Sequence, residues 1–121
     1  MEEILQAIGQ EVLLDDENLI DAVTAISGSG PAYVFYLTEL LEQSAQHLGI
    51  PEKAAALLAR QTIIGSAKLL GESERSAKEL RLQVTSKGGT TEAAFEKFEG
   101  SNLKKVFFNG IRAAYERAKE L

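Results

Sequence analysis

No cysteine occurs in the 121 residues, and that absence removes several chemistries at once. Without cysteine there is no disulfide framework, no thiolate metal ligand and no cysteine nucleophile, so a reducing compartment is the natural setting. Basic residues are also short. Thirteen Lys and Arg stand against 18 Asp and Glu, the formal charge is −5, and the cations are scattered rather than gathered into a stripe. A surface of that sign repels phosphate backbones, which argues against nucleic acid as a partner. No apolar run approaches the roughly 20 residues that a membrane span needs. The opening Met1-Glu2-Glu3 carries two acidic residues where a signal peptide is basic. A soluble, cytoplasmic protein with no membrane or nucleic-acid partner is expected. The single histidine, His47, falls in the last turn of an expected helix, where partial positive charge suits the dipole better than an acid–base role. Only two prolines are present, Pro31 and Pro51, and each stands where a helix would begin.

What the chain has is helical periodicity punctuated by glycine. Residues 2–14 read as a short helix ending at Gly9, then an extended apolar run, Val12-Leu13-Leu14, without an obvious partner strand. Asp15 and Asp16 can cap a helix through about Ile26, with Leu19, Ile20 and Val23 on one face. Ser27-Gly28-Ser29-Gly30 breaks it. The spacing predicts further helices over about 31–48, ended by Gly49, and over 52–70, closed by Gly71. Both are apolar nearly all round, so both should be covered on two sides. Ser76 with Glu79 forms a capping box for a short helix carrying Leu80, Leu82 and Val84. A helix over about 91–99 follows Gly88-Gly89, and Ser101 can cap the last one, whose stripe is Leu103, Phe107, Ile111, Ala114, Ala118 and Leu121. The expected fold is an all-α multi-helix bundle that interleaves with a second copy, because the helices offer more apolar face than one small core absorbs.

Two loops could carry chemistry. Thr85-Ser86-Lys87-Gly88-Gly89-Thr90-Thr91 precedes a helix, so its glycines, its hydroxyls and the helix amides could cradle a small anion such as a carboxylate. The same residues are also the ordinary vocabulary of a helix cap. Ser27-Gly28-Ser29-Gly30-Pro31 could approach a cofactor, or could simply be a tight helix-to-helix turn. Tyr33 and Tyr36 fall on an expected buried helix as core residues with satisfied hydroxyls. Asp15, Asp16 and Glu17 are consecutive on a capping turn and point apart, so no metal site is expected.

The order and spacing of four segments identify a resemblance. Val23-Thr24-Ala25-Ile26 followed by SGSGPAY over 27–33, then Gly49-Ile50-Pro51, then VTSKGGTT over 84–91, then Arg117-Ala118-Lys119-Glu120-Leu121, resemble the helical C-terminal half of the pyrroline-5-carboxylate reductase family. The resemblance implies a dimerising helical domain of an enzyme that reduces 1-pyrroline-5-carboxylate to L-proline with NADPH or NADH. It implies that Ser86, Gly88, Gly89, Thr90 and Thr91 bind the substrate carboxylate, and that Ser29 and Gly30 border the cofactor. It offers Glu74 and Thr91 as catalytic residues, Glu74 as a carboxylate near the ring nitrogen that could stabilise the protonated imine. Read from the residues alone, Glu74 is equally an exposed member of the charged stretch 72–75. The family usually has proline where this chain has Lys87, which loosens the loop and adds a cation.

No Gly-x-Gly-x-x-Gly is present, and the glycines lie between helices rather than after a strand. Residues 1–14 are therefore expected to be the remnant of an N-terminal dinucleotide-binding domain and 15–121 the helical dimerisation and substrate domain. On that expectation the chain alone binds no cofactor and is inactive, a homodimer or larger homo-oligomer lacking its catalytic partner half. The alternative is a stand-alone helical interaction module without catalysis.

Overall fold

The computed structural model describes residues 17–121. The helix and strand expected over 2–14, the domain remnant assigned to them, and the capping role of Asp15 and Asp16 lie outside the described residues. The described elements are α1 (Glu17–Val23), a π-helical segment (Thr24–Gly28), α2 (Gly30–His47), α3 (Glu52–Glu72), α4 (Ala77–Gln83), α5 (Thr90–Gly100) and α6 (Leu103–Glu120). Among these residues there is no strand, and the class is all-α as the periodicity predicts. The chain divides into two compact units, Met1–Val34 with Asn102–Leu121, and Phe35–Ser101.

In the first unit, α1, the π segment and α6 pack on one another around Ala25, which is 1% exposed. The π turn has a visible cause. The Ser29 amide reaches the Thr24 carbonyl, five residues back, at 3.0 Å. Ala25's carbonyl, which an α-helix would give to Ser29, instead accepts the Tyr33 hydroxyl at 2.8 Å. Thr24 Oγ1 donates to Ile20 O at 3.0 Å, and the Tyr33 ring meets Phe107 of α6 edge-on, centroids 6.3 Å apart. The expected break over 27–30 thus narrows to Ser29, with the helix carried through Gly28 on a wider turn.

In the second unit the helix ends follow local rules. Past His47, Ile50 N donates to Ala45 O and Gly49 N to Gln46 O, a Schellman close that needs the left-handed φ of +95° at Gly49. Pro51 is the N-cap residue of α3. Gly71 lies inside α3 rather than closing it, because the last turn is completed by the Ser73 amide on Leu69 O. Ser76 Oγ accepts the Glu79 amide at 3.1 Å and starts α4 as the spacing predicts, although Val84 falls just outside that helix. Ser101 does not cap α6: its amide closes α5 on Lys97 O, and Asn102, left-handed at φ 60°, takes the N-cap position without a side-chain cap bond.

Burial is sparse. Among the described residues the buried apolar positions are Ala25, Ala55 and Ala59, the last two one turn apart on α3. Large side chains of α2, α3 and α6 stay open within the single chain, Phe35 at 70%, Tyr36 at 61%, Phe108 at 60% and Leu58 at 53% exposed. Helices 31–48 and 52–70 are therefore not covered by this chain itself, and Tyr36 is not a core residue of it. Tyr33, half-buried and hydrogen-bonded, is the better fit to that expectation.

Candidate functional site

The loop between α4 and α5 leaves α4 on a fixed path. Arg81's carbonyl accepts the Thr85 hydroxyl at 2.6 Å and the Val84 amide at 3.2 Å, and the Thr85 amide donates to Leu82 O. Arg81 also lays its guanidinium over the Phe95 ring of α5, 5.2 Å from the centroid, and Phe95 meets Phe98 edge-on. Arg81 therefore links both ends of the loop.

Between those anchors the chain turns tightly. Gly88 adopts φ +76°, which L side chains rarely tolerate. Gly89 has an ordinary φ but no room: a β-carbon there would lie 2.6 Å from Ser86 Oγ and 3.1 Å from Ser86 O. The Gly89 amide donates to Ser86 O at 3.0 Å, and the Gly88 amide donates to Glu92 Oε1 at 3.0 Å. The two glycine amides are thus engaged internally, contrary to the idea that both stand free.

What remains open begins one residue later. Gly89 is the N-cap residue of α5 and has no side chain to cap it, and the first amide to find an intrahelical carbonyl is that of Ala93, on Gly89 O. The amides of Thr90, Thr91 and Glu92 are the orphan donors of the helix start, at the positive end of its dipole. The hydroxyls of Ser86, Thr90 and Thr91 make no hydrogen bond among the described residues. One short turn therefore brings together Ser86, Gly88, Gly89, Thr90 and Thr91, with Lys87 exposed beside them. Such a turn can bind a small anion.

Glu74 lies on the α3–α4 connection, where the Arg75 amide donates to Ser73 Oγ, and its exposed carboxylate has no partner among the described residues. Ser29 and Gly30 belong to the first unit. Ser29 is tied by its amide to Thr24 O and by its carbonyl to the Ala32 amide, while Gly30 opens α2 with nothing near its missing β-carbon. Just before them, Ser27 Oγ is buried without a hydrogen-bond partner among the described residues. His47 ends α2. Among the described residues no group of three His, Cys, Asp or Glu is placed to hold a metal ion, and no helix is long and apolar enough to cross a membrane.

Sequence reasoning passed over Glu92. Its signal was present: a glutamate at the third position of a helix, the place from which a carboxylate reaches back to the amides before the helix.

Comparison with known proteins places the chain. Residues 17–121 match the family model described as pyrroline-5-carboxylate reductase dimerisation. The chain is similar to the pyrroline-5-carboxylate reductase of Pseudomonas aeruginosa, 42% identical over 119 residues, covering 98% of this chain and 44% of the relative. The enzyme of that name from Synechocystis is likewise 42% identical, over 118 residues, with the same two coverages. Among solved structures, the pyrroline-5-carboxylate reductase of Coxiella burnetii matches with a TM-score of 0.86 at 43% identity, over 98% of this chain and 44% of the other. The Plasmodium falciparum pyrroline carboxylate reductase, solved with NADP bound, matches with a TM-score of 0.81 at 32% identity, over 87% of this chain and 42% of the other. The chain spans about 44% of the length of the curated relatives it matches. With its helical order, its glycine-threonine turn and this match over residues 17–121, the chain belongs to the pyrroline-5-carboxylate reductase dimerisation family.

Proposed function

We propose that this chain is the dimerisation and substrate-carboxylate domain of a reductase that converts 1-pyrroline-5-carboxylate to L-proline with NADPH or NADH, acting in the cytoplasm. The observation that carries the reading is the Ser86–Thr91 turn. Three hydroxyls without partners among the described residues surround the open amino end of α5, in a chain of this family. The substrate is an anion with one carboxylate on a small ring, and the turn offers donors without a bulky wall. Ser86, Thr90 and Thr91 bind the carboxylate oxygens through their hydroxyls and the first-turn amides, the Gly88 amide is a further donor to them, and both glycines give the backbone its shape. The ring then lies over the turn. Glu74, with its carboxylate free, is the candidate to stabilise the protonated imine, and Thr91 is the residue that orients the ring through the carboxylate.

The described residues contain no strand and no glycine-rich strand-to-helix turn. Ser29 and Gly30 would border a dinucleotide held by a neighbouring domain, to which residues 1–14 belong in this reading. The cofactor supplies the hydride when it is bound, and the chain's own residues bind and orient the imine acid. Coverage of the open faces of α2, α3 and α6 by a second copy completes the proposal, since so many large apolar side chains are seldom left in water.

The test is a chimaera in which this chain replaces the corresponding segment of the Pseudomonas aeruginosa enzyme. Proline formation from the imine and NADPH is the expected result, with Thr91→Val lowering kcat/KM about tenfold or more, the usual cost of a lost hydrogen bond to a charged group. A folded, dimeric chimaera that forms no proline would overturn the proposal in favour of an interaction module. Proline formation by the 121-residue chain alone would overturn the assignment of the cofactor to another domain.

A further inference from the structure

Deepening the carboxylate reading of the α4–α5 turn, on which it rests, we infer that Glu92 is an internal competitor for that site. Its carboxylate accepts the Gly88 amide and gives it up when a substrate carboxylate arrives. Three observations support this. Glu92 Oε1 accepts the Gly88 amide at 3.0 Å, a well-formed hydrogen bond of ordinary length. The group that holds this amide is itself a carboxylate, chemically the same head group that the turn takes in the proposed reaction. Among the described residues the surrounding hydroxyls of Ser86, Thr90 and Thr91 have no acceptor, and the Gly88 amide is the donor of the turn that a side-chain anion has claimed.

A glutamate at this position also has a purely structural use, since a side chain three residues into a helix commonly reaches back to cap it. The two roles predict opposite effects on binding. If Glu92 only caps, removing it loosens the turn and weakens anion binding together with stability. If it competes, removing it costs stability but frees a donor and removes a negative charge, so binding tightens. Two carboxylates cannot share one amide without mutual repulsion. Nearby, Lys87 is exposed and forms no ion pair among the described residues, so a cation one residue from Gly88 is available to a displaced carboxylate.

The experiment is a titration of the isotope-labelled full chain with L-proline, followed at the Gly88 and Gly89 amide resonances, in wild type, Glu92→Gln and Glu92→Ala. Sodium chloride at matched ionic strength serves as the control. Gln keeps an uncharged acceptor and so keeps the cap. The expected midpoints fall about threefold for Glu92→Gln and about tenfold for Glu92→Ala, while the melting temperature falls only for Glu92→Ala. Midpoints that are unchanged or raised in both variants would overturn the inference, as would the absence of any response in all three proteins. Adding Thr91→Val to Glu92→Gln separates the two claims. A raised midpoint there supports the carboxylate seat whatever Glu92 does. An unchanged midpoint there would overturn the seat itself.

Discussion

Gly88 and Gly89 are neighbours with different reasons for lacking a side chain. Gly88 needs a left-handed φ of +76°, and Gly89 needs the space that Ser86 occupies. Alanine at 88 would meet open space but would have to hold a conformation that costs an L residue about 1–2 kcal/mol. Gly88→Ala should therefore lower the melting temperature by several degrees, measurable by circular dichroism, without a change in helix content at low temperature. Glu74 invites a different test, because its exposed carboxylate has no partner among the described residues. In the chimaeric enzyme Glu74→Ala should leave stability within about 0.5 kcal/mol and lower kcat. Full turnover in that variant would remove Glu74 from the reacting group.

At the scale of the element, the ends of helices were legible wherever their chemistry is local. Gly49 and Ser76 act within a few residues of themselves, through a Schellman close and an N-cap, and both could be placed from spacing alone. The segment Thr24–Gly28 could not. Its five-residue hydrogen bond depends on the Tyr33 hydroxyl, eight residues away, taking the carbonyl that an α-helix would have used. Nothing in residues 24–28 announces that exchange. Tyr33→Phe should expose the dependence, leaving the Ala25 carbonyl without the phenol at a cost of about 1–2 kcal/mol in urea unfolding. Similarly, the α4–α5 turn was legible as a string of Gly, Ser and Thr, yet the pairing of Gly88 with Glu92 was not. That pairing needs both the left-handed turn and the helix start that brings residue 92 back over residue 88. The joint between α5 and α6 was misjudged by one residue for a related reason. With only Ser101 and Asn102 between the helices, Ser101 is used up in closing the first, and the left-handed duty passes to Asn102.

At the scale of the whole molecule, apolar periodicity revealed which faces seek cover and was silent about which chain supplies it. Tyr36 and Phe35 look like core residues by spacing, and within one chain they are largely open. Under the proposed function a second copy lies over them, so sedimentation at micromolar concentration should show a dimer or larger species. A clean monomer there would contradict the association. Replacing Phe35 with Glu should shift the population toward monomer, since burying that charge without a partner is strongly disfavoured.

Among the described residues the buried apolar interior is three alanines, which is slight. If most of the cohesion arrives only when two copies meet, then folding is a second-order process and its midpoint moves with concentration. Adding plain buffer would then act as a denaturant, and the temperature at which the helices are lost would climb with each tenfold increase in protein.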